Sequence, residues 1–271
     1  MNQLNQISRS IRRPRGQFSG QNIVPALGGD IVTAKAFSRK QAVFNEKAQQ
    51  YARQGVITTP GYLRLETGAI TTGALSQFTF NTLDTSGTKT ATERRLKLSD
   101  TFTITDISFY IGAFTKAGTT VTPEEYSKQR MFTFPNPNYA GFSGKDDDLE
   151  VLYNGYLSLR IDTTTFLDSV PMRQFYRVGT SQAGTGANGG TAPTNLPIGR
   201  DEFPLSMYGR TELLPTIELN GQANIEWSIT LPNATDCSAA ANYFTNLVLI
   251  CQGFLNQGAA SVQRQVQRRL R

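Results

Sequence analysis

The stretch Thr216–Leu231, TIELNGQANIEWSITL, places an apolar residue at every second position on both sides of an Asn-Gly pair. Strict alternation marks strands with one buried face, and Asn-Gly is a strong short-turn signal, so the stretch predicts a β-hairpin. Ile217 and Leu219 share one face of the first strand, and Ile225, Trp227, Ile229 and Leu231 share one face of the second. A two-residue turn at Asn220-Gly221 would pair Leu219 with Gln222 and send the two apolar sets to opposite sides. An odd loop of about three or five residues is therefore expected. Such a loop puts Ile217 opposite Ile225 or Trp227, with Trp227 in the core layer of Ile217 or Pro215. The outward residues Glu218, Glu226, Ser228 and Thr230 are polar and suit contact with water or a neighbour.

Working outward, alternation predicts strands at Tyr62–Glu66, Leu75–Leu83, Arg94–Leu98, Thr101–Phe114, Met131–Phe134 and Tyr156–Ile161, with turns at Thr71–Gly73, Asp84–Gly87 and Ser99-Asp100. Within Thr101–Phe114, Phe102 and Ile104 sit on one parity and Ile107, Phe109 and Ile111 on the other. That switch implies a β-bulge near Thr105-Asp106, or a strand that crosses between sheets. Asn246–Leu255 is a continuous apolar run and reads as a fully buried strand. Thr33–Gln54 is the best helix, with Thr33 as its N-cap and Gly55 as its stop. Phe37, Phe44, Ala48 and Tyr51 share a face expected to pack on the body or on a neighbouring subunit. Pro123–Lys128 suits a helical turn, Asp146-Asp147-Asp148 with Glu150 an acidic helix start, and Phe166–Val178 fits no single element. The resulting division is a basic arm over 1–32, a helix over 33–55, a β body over 56–257 and a basic tail over 258–271.

The 271 residues include 24 Gly and 12 Pro and show few long helical patterns, which favours an all-β class with many turns. Histidine is absent. Its absence removes the commonest general base, the commonest zinc ligand and every Ser-His or Cys-His nucleophile pair. The two cysteines, Cys237 and Cys251, read as buried thiols. Gly184–Gly189 spells G-x-G-x-x-G, but the Gly-Thr-Ala-Pro that follows cannot supply the helix that a pyrophosphate site needs. The reading is of a protein with no cofactor and no catalytic centre. The aromatic residues fall mostly at inward strand positions and suit a core. Gly179–Pro197 is a loop of low complexity, expected to be exposed.

Charge is unevenly placed. Arg9, Arg12, Arg13 and Arg15 precede the first acid, Asp30, while Arg264, Arg268, Arg269 and Arg271 follow the last, Asp236. These eight arginines exceed the formal net charge of +6, so the chain between them is slightly acidic. Leu4, Ile7 and Ile11 at one end, and Val262, Val266 and Leu270 at the other, recur at helical spacing among the arginines. Such ends neutralise phosphate or dock on an anionic membrane.

In Ile11–Arg15, GYLRLETGAI at 61–70, TFTITDISFYIGAF at 101–114, NIEWSITL at 224–231 and NLVLICQGFL at 246–255, the chain resembles the jelly-roll capsid proteins of non-tailed icosahedral viruses. The nearest in character are those of small membrane-containing bacteriophages. The resemblance implies a jelly-roll β-sandwich, one barrel with long loops, with a compact double jelly roll as the alternative. It further implies a major capsid protein of the virion, made in the host cytoplasm. That protein assembles with copies of itself, as a trimeric capsomer, and with other capsid proteins, and its basic ends face the viral genome or an internal lipid membrane. A minor or receptor-binding virion protein and a glycan-processing β-sandwich enzyme are the alternatives.

Overall fold

A computed structural model describes residues 31–71, 73–85, 89–115, 118, 121–137, 139–178 and 210–262, with side chains from residue 39 onward. Compactness divides the chain after Lys47. The first helix, α1 (Ile31–Ala52), straddles that division, and its last turn belongs to the body. The helix starts two residues before Thr33, so Thr33 is not its N-cap. Gly55, at φ +71°, lies just beyond its end, as the sequence predicts. Of the expected apolar face, Tyr51 is fully buried, whereas Phe44 and Ala48 are half-buried.

The body is mostly β and consists of two antiparallel sheets packed against each other. One sheet contains β1 (Ile57–Glu66), β9 (Tyr243–Gln257) and β3 (Thr101–Thr115) in that order. The far side of β3 pairs with β7 (Arg210–Asn220) along one stretch and with β4 (Arg130–Phe132) along another. In the other sheet the order is β2 (Leu75–Asn81), β8 (Ile225–Thr235), β5 (Tyr156–Ile161) and β6 (Thr164–Pro171). Inward side chains of both sheets, including Leu63, Phe80, Phe102, Phe109, Leu159, Trp227 and Leu249, form one core. Short helices α2 (Pro123–Ser127) and α3 (Asp146–Glu150) lie in the long β3–β5 connection. Thr122 and Glu125 form a reciprocal capping box on α2, and three aspartates open α3.

The hairpin expectation fails in one respect. β7 pairs with β3 and β8 pairs with β2 and β5, so the two strands lie in opposite sheets. Asn220 anchors the turn that carries the chain across, accepting from Ala223 N at 2.9 Å on its carbonyl and from Gln222 N at 2.9 Å on its side chain. Alternation reports which face is buried and not which strand lies alongside. Ile217, Leu219, Ile225, Trp227, Ile229 and Leu231 are all buried as read, but across a sandwich each strand presents its own inward face and no odd loop is needed. Two further readings change. Arg94 and Leu96 make only isolated bridges, to Arg64 and Leu83, and Phe166–Val178 divides between β6 and a 3₁₀ turn, Met172–Phe175.

The parity switch is a bulge. The register of β3 with β9 slips between Ile104 and Asp106, which leaves Thr105 as the extra residue while β3 stays in one sheet; at the same place the partner on β7 jumps from Ile217 to Glu212, so there the excess residues lie on β7. Thr105 Oγ1 donates to the Gln252 carbonyl at 3.2 Å and lies 2.7 Å from Asp106 Oδ2, so its hydroxyl has partners in the distorted ladder. Opposite the bulge a Cβ on Gly253 would lie 1.8 Å from the Thr103 carbonyl oxygen. Gly253→Ala is expected to push the two central strands apart and cost about 2–4 kcal/mol. Urea unfolding followed by the fluorescence of Trp227, the only tryptophan, measures it; an unchanged midpoint would show that the bulge absorbs the methyl group.

Candidate functional site

The eight arginines singled out by the sequence, Arg9, Arg12, Arg13, Arg15, Arg264, Arg268, Arg269 and Arg271, lie outside the described residues, as do Gly179–Pro197 and Val266 and Leu270. The root of the C-terminal tail is described. Residues 259–262 are helical, with Val262 N–H donating to the Gly258 carbonyl at 3.3 Å. Ala259 packs with Tyr51 and Val56 in a small apolar cluster, against which Val262 is partly buried. Ala260 N donates to the Ser99 carbonyl at 3.0 Å and Gly258 N to Asp100 Oδ1 at 2.9 Å. The Tyr51 hydroxyl donates to Glu218 on β7 and accepts from Thr101 on β3. The end of α1 and the start of the basic tail are thus fixed together on the body.

The free edges of the sandwich are β1, β4 and β7 in one sheet and β2 and β6 in the other. Large apolar side chains left exposed among the described residues concentrate on them: Ile57 and Tyr62 on β1, Leu75 on β2, Met131 on β4, Phe166 on β6 and Leu214 on β7. Of the central strands, β3, β8 and β9 expose none and β5 exposes only Tyr156 at its start. Unpaired backbone beside exposed apolar side chains is a surface suited to association.

A buried polar network joins β1 to the segment before β3. Glu66 accepts on Oε1 from Arg64 Nε at 2.6 Å and the Thr92 hydroxyl at 2.7 Å, and on Oε2 from the Thr90 hydroxyl at 3.0 Å and Asn246 Nδ2 at 3.2 Å. Glu93 accepts from Arg95 Nη2 at 2.7 Å, Thr90 N at 2.8 Å and Glu66 N at 3.1 Å. Every oxygen of the two carboxylates has a donor, which offsets the cost of burying them. Sequence reasoning missed this network because alternation, which reads Tyr62–Glu66 and Arg94–Leu98 as strands, does not record which side chains pair. The one signal is that Glu66 and Glu93 each lie two residues from an arginine.

Both cysteines are free and buried. Burial pushes the Cys237 thiol up to about 12 and the Cys251 thiol higher still. No family model, curated protein or solved structure matches the chain.

Glu93→Gln should destabilise the fold by about 3–5 kcal/mol, because it removes the carboxylate charge bonded to the buried Arg95; replacing both residues by apolar ones should cost less. Chemical denaturation of the single and double variants checks the ordering, and equal losses would remove the charge argument. The thiols should resist a disulfide reagent at pH 8 in buffer and both react in denaturant. The native thiols hold their protons above the pH at which unfolded ones release them, so stability is full below about pH 8.5 and falls as pH rises beyond it. Native-state labelling of either cysteine at pH 8 would contradict this.

Proposed function

We propose that the sandwich is a single jelly roll and that the protein is a major capsid protein which assembles into an icosahedral shell. The observation that carries this reading is the nesting of strand pairs. With the three-residue β4 set aside, the first strand pairs with the last (β1 with β9), the second with the second-last (β2 with β8), the third with the third-last (β3 with β7) and the middle two with each other (β5 with β6). A ribbon paired in that nested way and then wrapped gives two four-stranded sheets in the orders β1-β9-β3-β7 and β2-β8-β5-β6, the arrangement of a jelly roll.

Jelly rolls also serve lectins and metal-dependent enzymes, so fold alone does not choose a function. Three features favour a shell. The chain has no histidine for the usual metal site, its exposed large apolar side chains concentrate on free edges, and both of its ends are clusters of arginine without acids. In this reading edges and loops join copies into a trimeric capsomer, and the arginine-rich ends lie on the inner side. There they meet the genome or an internal membrane, and the helical spacing of their apolar residues favours the membrane.

Electron microscopy of the purified full chain is expected to show closed shells or regular capsomers, and a monomer at every concentration would overturn the reading. Flotation with anionic vesicles, beside a salt titration of DNA binding, should show polyanion binding that is lost when 1–32 and 258–271 are removed. Equal behaviour of intact and truncated protein in both assays would remove the polyanion role.

A further inference from the structure

We propose that the open edge of β1 is a docking groove for an extended, acidic peptide segment of a partner protein, which adds to the first sheet as a strand. This interaction surface does not depend on the shell reading. Arg64 and Arg94 exchange both backbone hydrogen bonds, Arg64 N to the Arg94 carbonyl at 2.9 Å and Arg94 N to the Arg64 carbonyl at 2.8 Å. The backbone of Arg64 therefore points away from β9. Alternation turns the N–H and C=O of Tyr62 the same way, and no described strand lies alongside them. Beyond Arg94 the neighbouring segment leaves β1, since Leu96 N bonds instead to the Thr82 carbonyl at 2.8 Å. The gap that opens is a cavity of about 360 Å³ lined by Tyr62, Lys89, Arg94, Arg95 and Lys97, with Asp84 and Asp100 as its acids.

Charge selects the occupant. Lys89 is held by Asp84 at 2.8 Å and Arg95 by Glu93 at 2.7 Å. Arg94 and Lys97 are exposed and meet no carboxylate among the described residues, and the Arg94 guanidinium lies over the Tyr62 ring, 5.1 Å from its centre. Two cations outside any ion pair among the described residues, beside an unpaired strand edge, suit a segment that offers backbone groups and carboxylates together, although Lys97 also feels the Asp84 carboxylate across the cavity. Main-chain pairing supplies affinity, while the cations select acidic sequences and speed their arrival. Pro60 has no N–H, so one carbonyl of the added strand finds no donor there and pairing is strongest around Tyr62.

The test is fluorescence anisotropy of the full chain with an end-capped, labelled peptide of about eight alternating Glu and Val residues, long enough for a strand. Its Lys-Val counterpart and a labelled oligothymidylate run beside it. The acidic peptide should bind saturably and the lysine peptide should not. Arg94→Glu with Lys97→Glu should weaken binding about tenfold or more. Tyr62→Pro removes the outward N–H and should abolish binding, whereas Tyr62→Ala removes the stacked ring, keeps the N–H and should retain most of it. If Tyr62→Pro fails to fold, as judged by circular dichroism, the charge-reversed pair and the peptide comparison decide. Absence of binding by the acidic peptide, binding indifferent to the charge reversal, or preference for the oligothymidylate would each overturn the proposal.

Discussion

The ladder between β3 and β9 is the constraint on which the rest depends. These are the two longest strands, each of fifteen residues, and they pair from Thr101 with Asn256 to Thr115 with Tyr243. β1 attaches to one flank of this ladder and β7 and β4 to the other, so every strand of the sheet is placed by it. Both faces of the pair are buried. Phe102, Ile104, Ile107 and Phe109 point into the core, while Thr101, Thr103, Ser108 and Asn256 on the outer side are also closed to solvent. A strand buried on both faces cannot slip by one residue without burying the wrong set, and here the bulge at Thr105 lets the inward apolar set change parity without leaving the sheet.

Several hydroxyls and amides on the outer side of this sheet are engaged, whereas the buried Thr103 hydroxyl meets no partner among the described residues. Asn256 Nδ2 donates to Thr101 Oγ1 at 3.1 Å, and the Thr58 hydroxyl donates to Asn256 Oδ1 at 2.8 Å. The Tyr51 hydroxyl joins the same chain of contacts. At the other end of β1 the carboxylates of Glu66 and Glu93 do comparable work against Arg64 and Arg95. Around Thr101 and Asn256, and around Glu66, the outer face of the first sheet therefore buries polar groups, whereas Glu226 and Thr230 on β8, in the second sheet, are exposed.

Most strands were legible because burial of one face imposes a period of two, and Tyr156–Ile161 reads from sequence at the bounds it has in the structure. The bulge was legible for the same reason, as a break in that period. Partnership was not. Ile217 and Trp227 look the same from sequence whether their strands share a sheet or face each other across a core, and only the pairings of β7 with β3 and β8 with β2 separate the cases. β6 escaped notice because six of its eight residues are exposed and its register to β5 slips twice, so no period survives. Glu66 and Glu93 escaped because side-chain pairing, which periodicity does not record, is what allows a carboxylate inside.

The free edges pose a problem that the chain answers locally. A long flat edge would recruit further strands without limit. Each long edge here is interrupted: β1 by Pro60, β7 by Pro215, β2 by a register shift between Leu75 and Gln77, and β6 by its own shifts and by Ser169 at φ +54°. A neighbour can bond to any of these edges for only a few residues before meeting a missing donor or a misdirected carbonyl. The remaining attraction must then come from the exposed apolar side chains beside each edge, such as Ile57, Leu75, Phe166 and Leu214, which need a shaped partner. Association by short ladders and specific side chains ends in a closed contact, while association by an uninterrupted edge does not.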